Sequence, residues 1–194
     1  MDAYRLAVKF FIEDPSKLKV EDFVPVYHRW IRNGALPDHQ LIDVGDYKHV
    51  HEGPGTVLVG HEANVYADLG EGRLGLMYVR KQPLPGSFPD RLRAVFNYAL
   101  SACAMLEDET TLPIPIRFRT DEAVFRMNDR LFAPNTRQTF EMVKDDLERF
   151  LRNLYRSDQI VLRHEPNPES LFEVKIDGPQ SPPIATLRER VAAA

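Results

Sequence analysis

The chain has 194 residues, 43% of them apolar and 28% charged, which is ordinary globular usage for one domain. Its 25 Lys and Arg against 29 Asp and Glu leave a net charge of −4, which argues against a dedicated duplex-DNA or RNA binder. One cysteine, Cys103, excludes an intrachain disulfide and fits a reducing, cytoplasmic compartment; no run of roughly 18 apolar residues spans a membrane, and Met1 to Arg5, acidic at Asp2, does not read as a signal peptide.

Tyr4, Leu6, Val8, Phe10 and Ile12 alternate with Arg5 and Lys9, which predicts a strand ended by Glu13-Asp14-Pro15-Ser16. Phe23, Val26, Tyr27, Trp30 and Ile31 then form one helical stripe, with Asp22 as the N-cap and Gly34 as the stop. Residues 40 to 81 read as a three-stranded meander: Gln40 to His51, Thr56 to Leu69, and Gly72 to Lys81. Ser87-Phe88-Pro89-Asp90 is a capping box, with Asp in place of Glu, that opens a second helix. Leu92, Val95, Phe96, Ala99, Leu100, Cys103 and Leu106 make its buried stripe. Its acidic end, Glu107-Asp108-Glu109, opposes the helix dipole and is expected to fray.

Ile116 to Thr120 and Ala123 to Asn128 read as short strands around Asp121-Glu122, followed by a turn at Asn128-Asp129 and a strand from Arg130 to Ala133. A third helix opens after Pro134-Asn135-Thr136, with Phe140, Val143, Leu147, Phe150, Leu151 and Leu154 inside. Gln159 to His164 and Leu171 to Ile176 are the last two strands. The class is therefore α+β, antiparallel, in the order β-α-βββ-α-βββ-α-ββ, with three main helices packed on the sheet. Residues 1–177 form the domain, and residues 178–194 form a Pro-rich linker and a short helical tail. Such a tail is too short to be stable alone, so it frays or docks on something.

No nucleotide-binding glycine loop, Walker A loop, GxSxG elbow, HExxH or CxxC is present. Cys103 lies in an apolar stripe and reads as an inert core thiol. His49 and His51, at i and i+2 of a strand, point the same way, and with Glu62 on the next strand they could hold a divalent metal such as zinc. The alternative is a pair of exposed polar residues beside a hairpin turn. No other cofactor is expected.

Aligning the apolar sets of the meander places Asp46 opposite His61, and His61 opposite Arg80, on the face that packs on helices. As a catalytic site, Asp46 would orient His61 while Arg80 holds an anion. As structure, the row is a salt-bridged core margin, and this reading is preferred. The opposite face carries Tyr47, Tyr66 and Met77, residue types enriched at interfaces. With Leu187 and Val191 of the tail, these are the expected contacts to a protein partner or a second copy. Arg117, Arg119, Arg126 and Arg163 could cradle an anion, although charges guarding a solvated sheet edge explain them as well.

Phe23-Val24-Pro25-Val26-Tyr27-His28-Arg29-Trp30, Leu41-Ile42-Asp43-Val44 and Phe125-Arg126-Met127-Asn128-Asp129-Arg130-Leu131 resemble segments of a group of small bacterial α+β proteins with no assigned function. The resemblance spans most of the chain. It implies a bacterial cytoplasmic protein and transfers no site residues. The functional expectation is a non-enzymatic, protein-binding or self-associating domain, with no nucleic acid and no membrane span. The alternative is a small-molecule or metal-dependent enzyme using Asp46, His61 and Arg80, or His49 and His51.

Overall fold

A computed structural model describes residues 3–47, 50, 53 and 55–193. Among them, an eight-stranded antiparallel sheet carries four α-helices. In chain order these are β1 (Leu6–Ile12), α1 (Phe23–Asn33), β2 (Leu41–Asp46), β3 (Thr56–Gly60), β4 (Ala63–Asp68), β5 (Gly75–Arg80), α2 (Phe88–Glu107), β6 (Phe118–Met127), α3 (Arg137–Tyr155), β7 (Val161–Arg163), β8 (Phe172–Asp177) and α4 (Ile184–Ala193). The sheet order is β2-β3-β4-β5-β1-β6-β8-β7, so the first strand in sequence lies inside the sheet. The α+β class and the antiparallel sheet agree with the sequence reading. The finer order does not.

The long second strand of the expected meander is in fact two strands. β3 and β4 meet at a tight turn through His61-Glu62, with Val59 opposite Asn64. Conversely, Phe118–Met127 is one strand, and Asp121-Glu122 falls within an irregularity of its pairing with β1 rather than at a turn. Arg130 to Phe132 form a turn, not a strand.

These changes reverse the face of β3. Leu58 is fully buried in the core beneath the helices, and the neighbouring Val57 points to the other side. The expected register buried Val57 and Val59 against the helices, and it is corrected here. Val57, Leu58 and Val59 are all apolar, so alternation alone could not choose a face for this strand.

The helix caps follow the local chemistry. Ser87 accepts from the backbone of Asp90 and completes the capping box of α2, and Gly34 ends α1 in the left-handed conformation. The acidic end of α2 is tied down instead of fraying. Glu107 accepts from the Phe118 N–H at 2.9 Å, and Glu109 pairs with Arg29 at 2.7 Å. The tail is also docked: Ile184, Leu187 and Val191 are buried in the same core, and Arg190 donates to the Leu154 carbonyl at 3.1 Å.

Among the described residues, no helix covers the other sheet face. Its centre is sealed by charge. Lys9 of β1 is 1% exposed, and its Nζ donates to Asp68 Oδ2 and Gly70 O at 2.6 Å, Arg73 O at 2.9 Å and Glu71 Oε2 at 3.1 Å. The β4–β5 connection is thereby pinned over the sheet. Glu71 also pairs with Arg126, which reaches Glu173 at 2.6 Å. Arg73 covers the Phe11 ring at 4.0 Å and forks onto Glu122.

Candidate functional site

The Asp46–His61–Arg80 row does not assemble. Asp46 ends β2 opposite Thr56, whereas Leu41, at the other end of β2, lies opposite Gly60 and hence beside His61. Five residues of strand separate the two, about 17 Å at ~3.4 Å per residue. His61 is exposed on its turn and is not closed in by the helices. The row was drawn on a continuous second strand, and the break at His61-Glu62 removes it. Asp46 is not without a partner.

Arg80 sits opposite Ala63, 8% exposed, and its Nε donates to the Gln82 carbonyl at 2.9 Å. Beside it lies a group that sequence reasoning missed. His39 Nδ1 meets the Pro37 carbonyl at 2.7 Å, and His39 Nε2 meets the Tyr78 hydroxyl at 2.8 Å. A carbonyl only accepts, so Nδ1 carries the proton and the Tyr78 hydroxyl donates to Nε2. Tyr98 stacks on Tyr78 with 5.6 Å between centroids and stands edge-on to His39 at 4.6 Å. Burial holds His39 below its ordinary value of 6.5 and pushes the Tyr78 phenol up. The imidazole is therefore neutral, with both nitrogens committed. Nothing in the sequence flagged it, because His39 lies in a loop and Tyr78 lies far along the chain.

His49 and His51 fall outside the described residues. Glu62, their expected companion, accepts from the Gln40 N–H at 2.7 Å. Among the described residues, no three His, Cys, Asp or Glu side chains are grouped to hold a metal ion. The four arginines of the possible anion cradle each face a carboxylate: Arg117 with Glu107, Arg119 with Asp121, Arg126 with Glu173, and Arg163 with Asp177. Cys103 is fully buried, and desolvation pushes its thiol up, away from the reactive thiolate.

The expected interface residues divide. Tyr47 is exposed and, with Val50 and Leu69, lines a depression. Tyr66 is half-buried on the open face, and Met77 is covered, its sulfur 3.8 Å from Arg126. Leu187 and Val191 are buried in the chain's own core. They are not available to a partner while the tail is docked.

The open face also holds a groove of about 610 Å³. It lies where β4 begins, β5 and β6 end and the chain enters β1. Val79 is part of its lining and packs with Ala7 and Met77, an apolar patch against which Tyr66 rests. The Tyr66 hydroxyl accepts from Asn64 Nδ2 at 2.9 Å, which holds its ring in place. Arg5, Arg80 and Lys81 line the groove together with Tyr4, and none of its described lining residues is a carboxylate. Asn128, also in the lining, ties in the Arg5 segment by donating its N–H to the Arg5 carbonyl at 2.8 Å, and its side-chain Oδ1 is buried without a hydrogen-bond partner among the described residues. At the centre of this face Lys9, Arg73 and Arg126 each meet an acid. In the groove Arg5 and Lys81 stand around an apolar floor, the arrangement that takes an anionic group, whereas Arg80 shares the face of Tyr78 and turns its guanidinium to that side. Sequence reading had not joined Arg5 to Lys81.

No family model, curated protein or solved structure matches this chain.

Proposed function

We propose that the chain is a non-enzymatic binding domain and that the groove carrying Arg5 and Lys81 is where it receives an anionic partner. One observation carries this reading: in a chain of net charge −4, the groove presents Arg5 and Lys81, and none of its described lining residues is an acid. A protein partner or a second copy would have to present an acidic segment to it. The enzyme alternative has less support. Asp46 lies about 17 Å from His61 along the strand, and the His39–Tyr78 pair is committed to internal hydrogen bonds. A cytoplasmic setting is supported by the single, buried, free cysteine.

Amide-shift titration with inorganic pyrophosphate and with a poly-glutamate peptide tests the reading. The expected shifts cluster at Tyr66, Val79 and Asn128 and weaken with added salt. Lys81→Glu is expected to weaken binding on the order of tenfold, equivalent to ~1.4 kcal/mol. Shifts that fall elsewhere, or that ignore the charge reversal, would overturn it.

A further inference from the structure

We infer that the anionic partner of this groove is a lipid bilayer surface, and that the turn after β6 is the element that enters it. The inference rests on the groove reading above. Asn128 lines the groove, and three residues later the chain presents Leu131 and Phe132, 90% and 67% exposed. The turn that carries them is ordered by its own hydrogen bonds. Asp129 Oδ1 accepts from the N–H groups of Leu131 at 3.2 Å and Phe132 at 3.3 Å, and the Asp129 carbonyl accepts from Ala133 at 2.8 Å. Ala133 is fully buried, and Pro134 bridges to Leu171, so the far side is anchored as well. A fold that needed these two side chains would have covered them.

Size favours a bilayer over a protein. The two side chains expose about 300 Å² together. A stable protein interface takes about 800 Å² from each partner and a complementary surface around the anchor. A bilayer needs no matching shape. It accepts a protruding Leu and Phe among its acyl chains while nearby cations meet lipid phosphates. The cations are present: Arg130 lies on the turn itself, and Arg5 and Lys81 lie in the adjoining groove. Tyr4 in the same groove suits the headgroup level. The carboxylate on the turn, Asp129, spends Oδ1 on two backbone donors. Two apolar side chains and a few cations give weak, reversible attachment that depends on anionic lipid.

The test is co-sedimentation of the full chain with vesicles of phosphatidylcholine alone and of phosphatidylcholine with phosphatidylserine. Binding is expected to the mixed vesicles only. Leu131→Ser with Phe132→Ser should abolish it while leaving the melt and pyrophosphate binding unchanged, since both side chains are solvent-exposed. Lys81→Glu should weaken both vesicle and pyrophosphate binding. Vesicle binding that survives the double substitution would overturn the role of the turn. Poly-glutamate binding without vesicle binding would overturn the bilayer and leave the groove standing. A shift from dimer to monomer in the double variant, without vesicle binding, would assign the turn to a second copy. Binding to neither vesicles nor soluble anions would remove the groove reading as well.

Discussion

Tyr27 and Lys9 are two buried polar side chains with opposite energetics. Lys9 is surrounded by acceptors, and removing it would strand Asp68 beneath the β4–β5 connection, a loss in the range of ~3–5 kcal/mol for a broken buried pair. Tyr27 is fully buried, but its hydroxyl has no hydrogen-bond partner among the described residues. Its ring packs at 6.2 Å from Phe23 and 5.5 Å from Trp30, contacts that need no hydroxyl. Burial pushes its phenol up, because the charged form has nothing to stabilise it. Tyr27→Phe keeps the packing and removes an unsatisfied group, whose burial costs about 1–3 kcal/mol. The variant is therefore expected to melt higher than the parent, by roughly 2–4 °C per kcal/mol gained in a chain of this size. A lower midpoint in a calorimetric scan would mean that the hydroxyl has a partner in solution.

The C-terminal helix α4 belongs to the core of the domain. Ile184, Leu187 and Val191 face α2 and α3, and Thr120 donates to the Pro182 carbonyl, which fixes the approach to the helix. Leu187→Ala should cost about 2–5 kcal/mol, the range for truncating a fully buried leucine. Sedimentation should show no change in association state, whereas an interface leucine would alter association more than stability. Elements with one apolar stripe were legible from sequence. Phe23, Val26, Tyr27 and Trp30 gave α1, and Ser87 with Asp90 gave the start of α2, because periodicity and caps are local signals. The β3–β4 turn was not legible, since His61-Glu62 carries neither Pro nor Gly and the strand before it is apolar on both faces. The groove was hidden for a different reason. Arg5, Lys81 and Asn128 come from separate segments, and only the placement of β1 between β5 and β6 brings them together.

That placement governs how the molecule holds together. On one side of β1 lie β2 to β5 with α1, and on the other lie β6, β8 and β7. β1 pairs with β5 through Ala7 opposite Val79 and with β6 through Val8 opposite Phe125, so one strand joins both halves. Helix α2 reinforces the seam by packing on β1, β5, α3 and α4. Lys9 and its acceptors do the same on the open face, where Glu71 from the first half pairs with Arg126 from the second. Neither half could melt without exposing Val8, Phe10 and the stripe of α2 that covers them, so the sheet is expected to unfold in one step. The chain carries one tryptophan, and Trp30, 5% exposed on α1, reports on the first half alone. Far-UV circular dichroism reports all four helices, including α3 and α4 on the far side. Thermal melts followed by Trp30 fluorescence and by circular dichroism should therefore superimpose. A fluorescence transition that precedes the loss of helical signal would show that β2 to β5 separate as a unit, and would refute β1 and α2 as the bond between the halves.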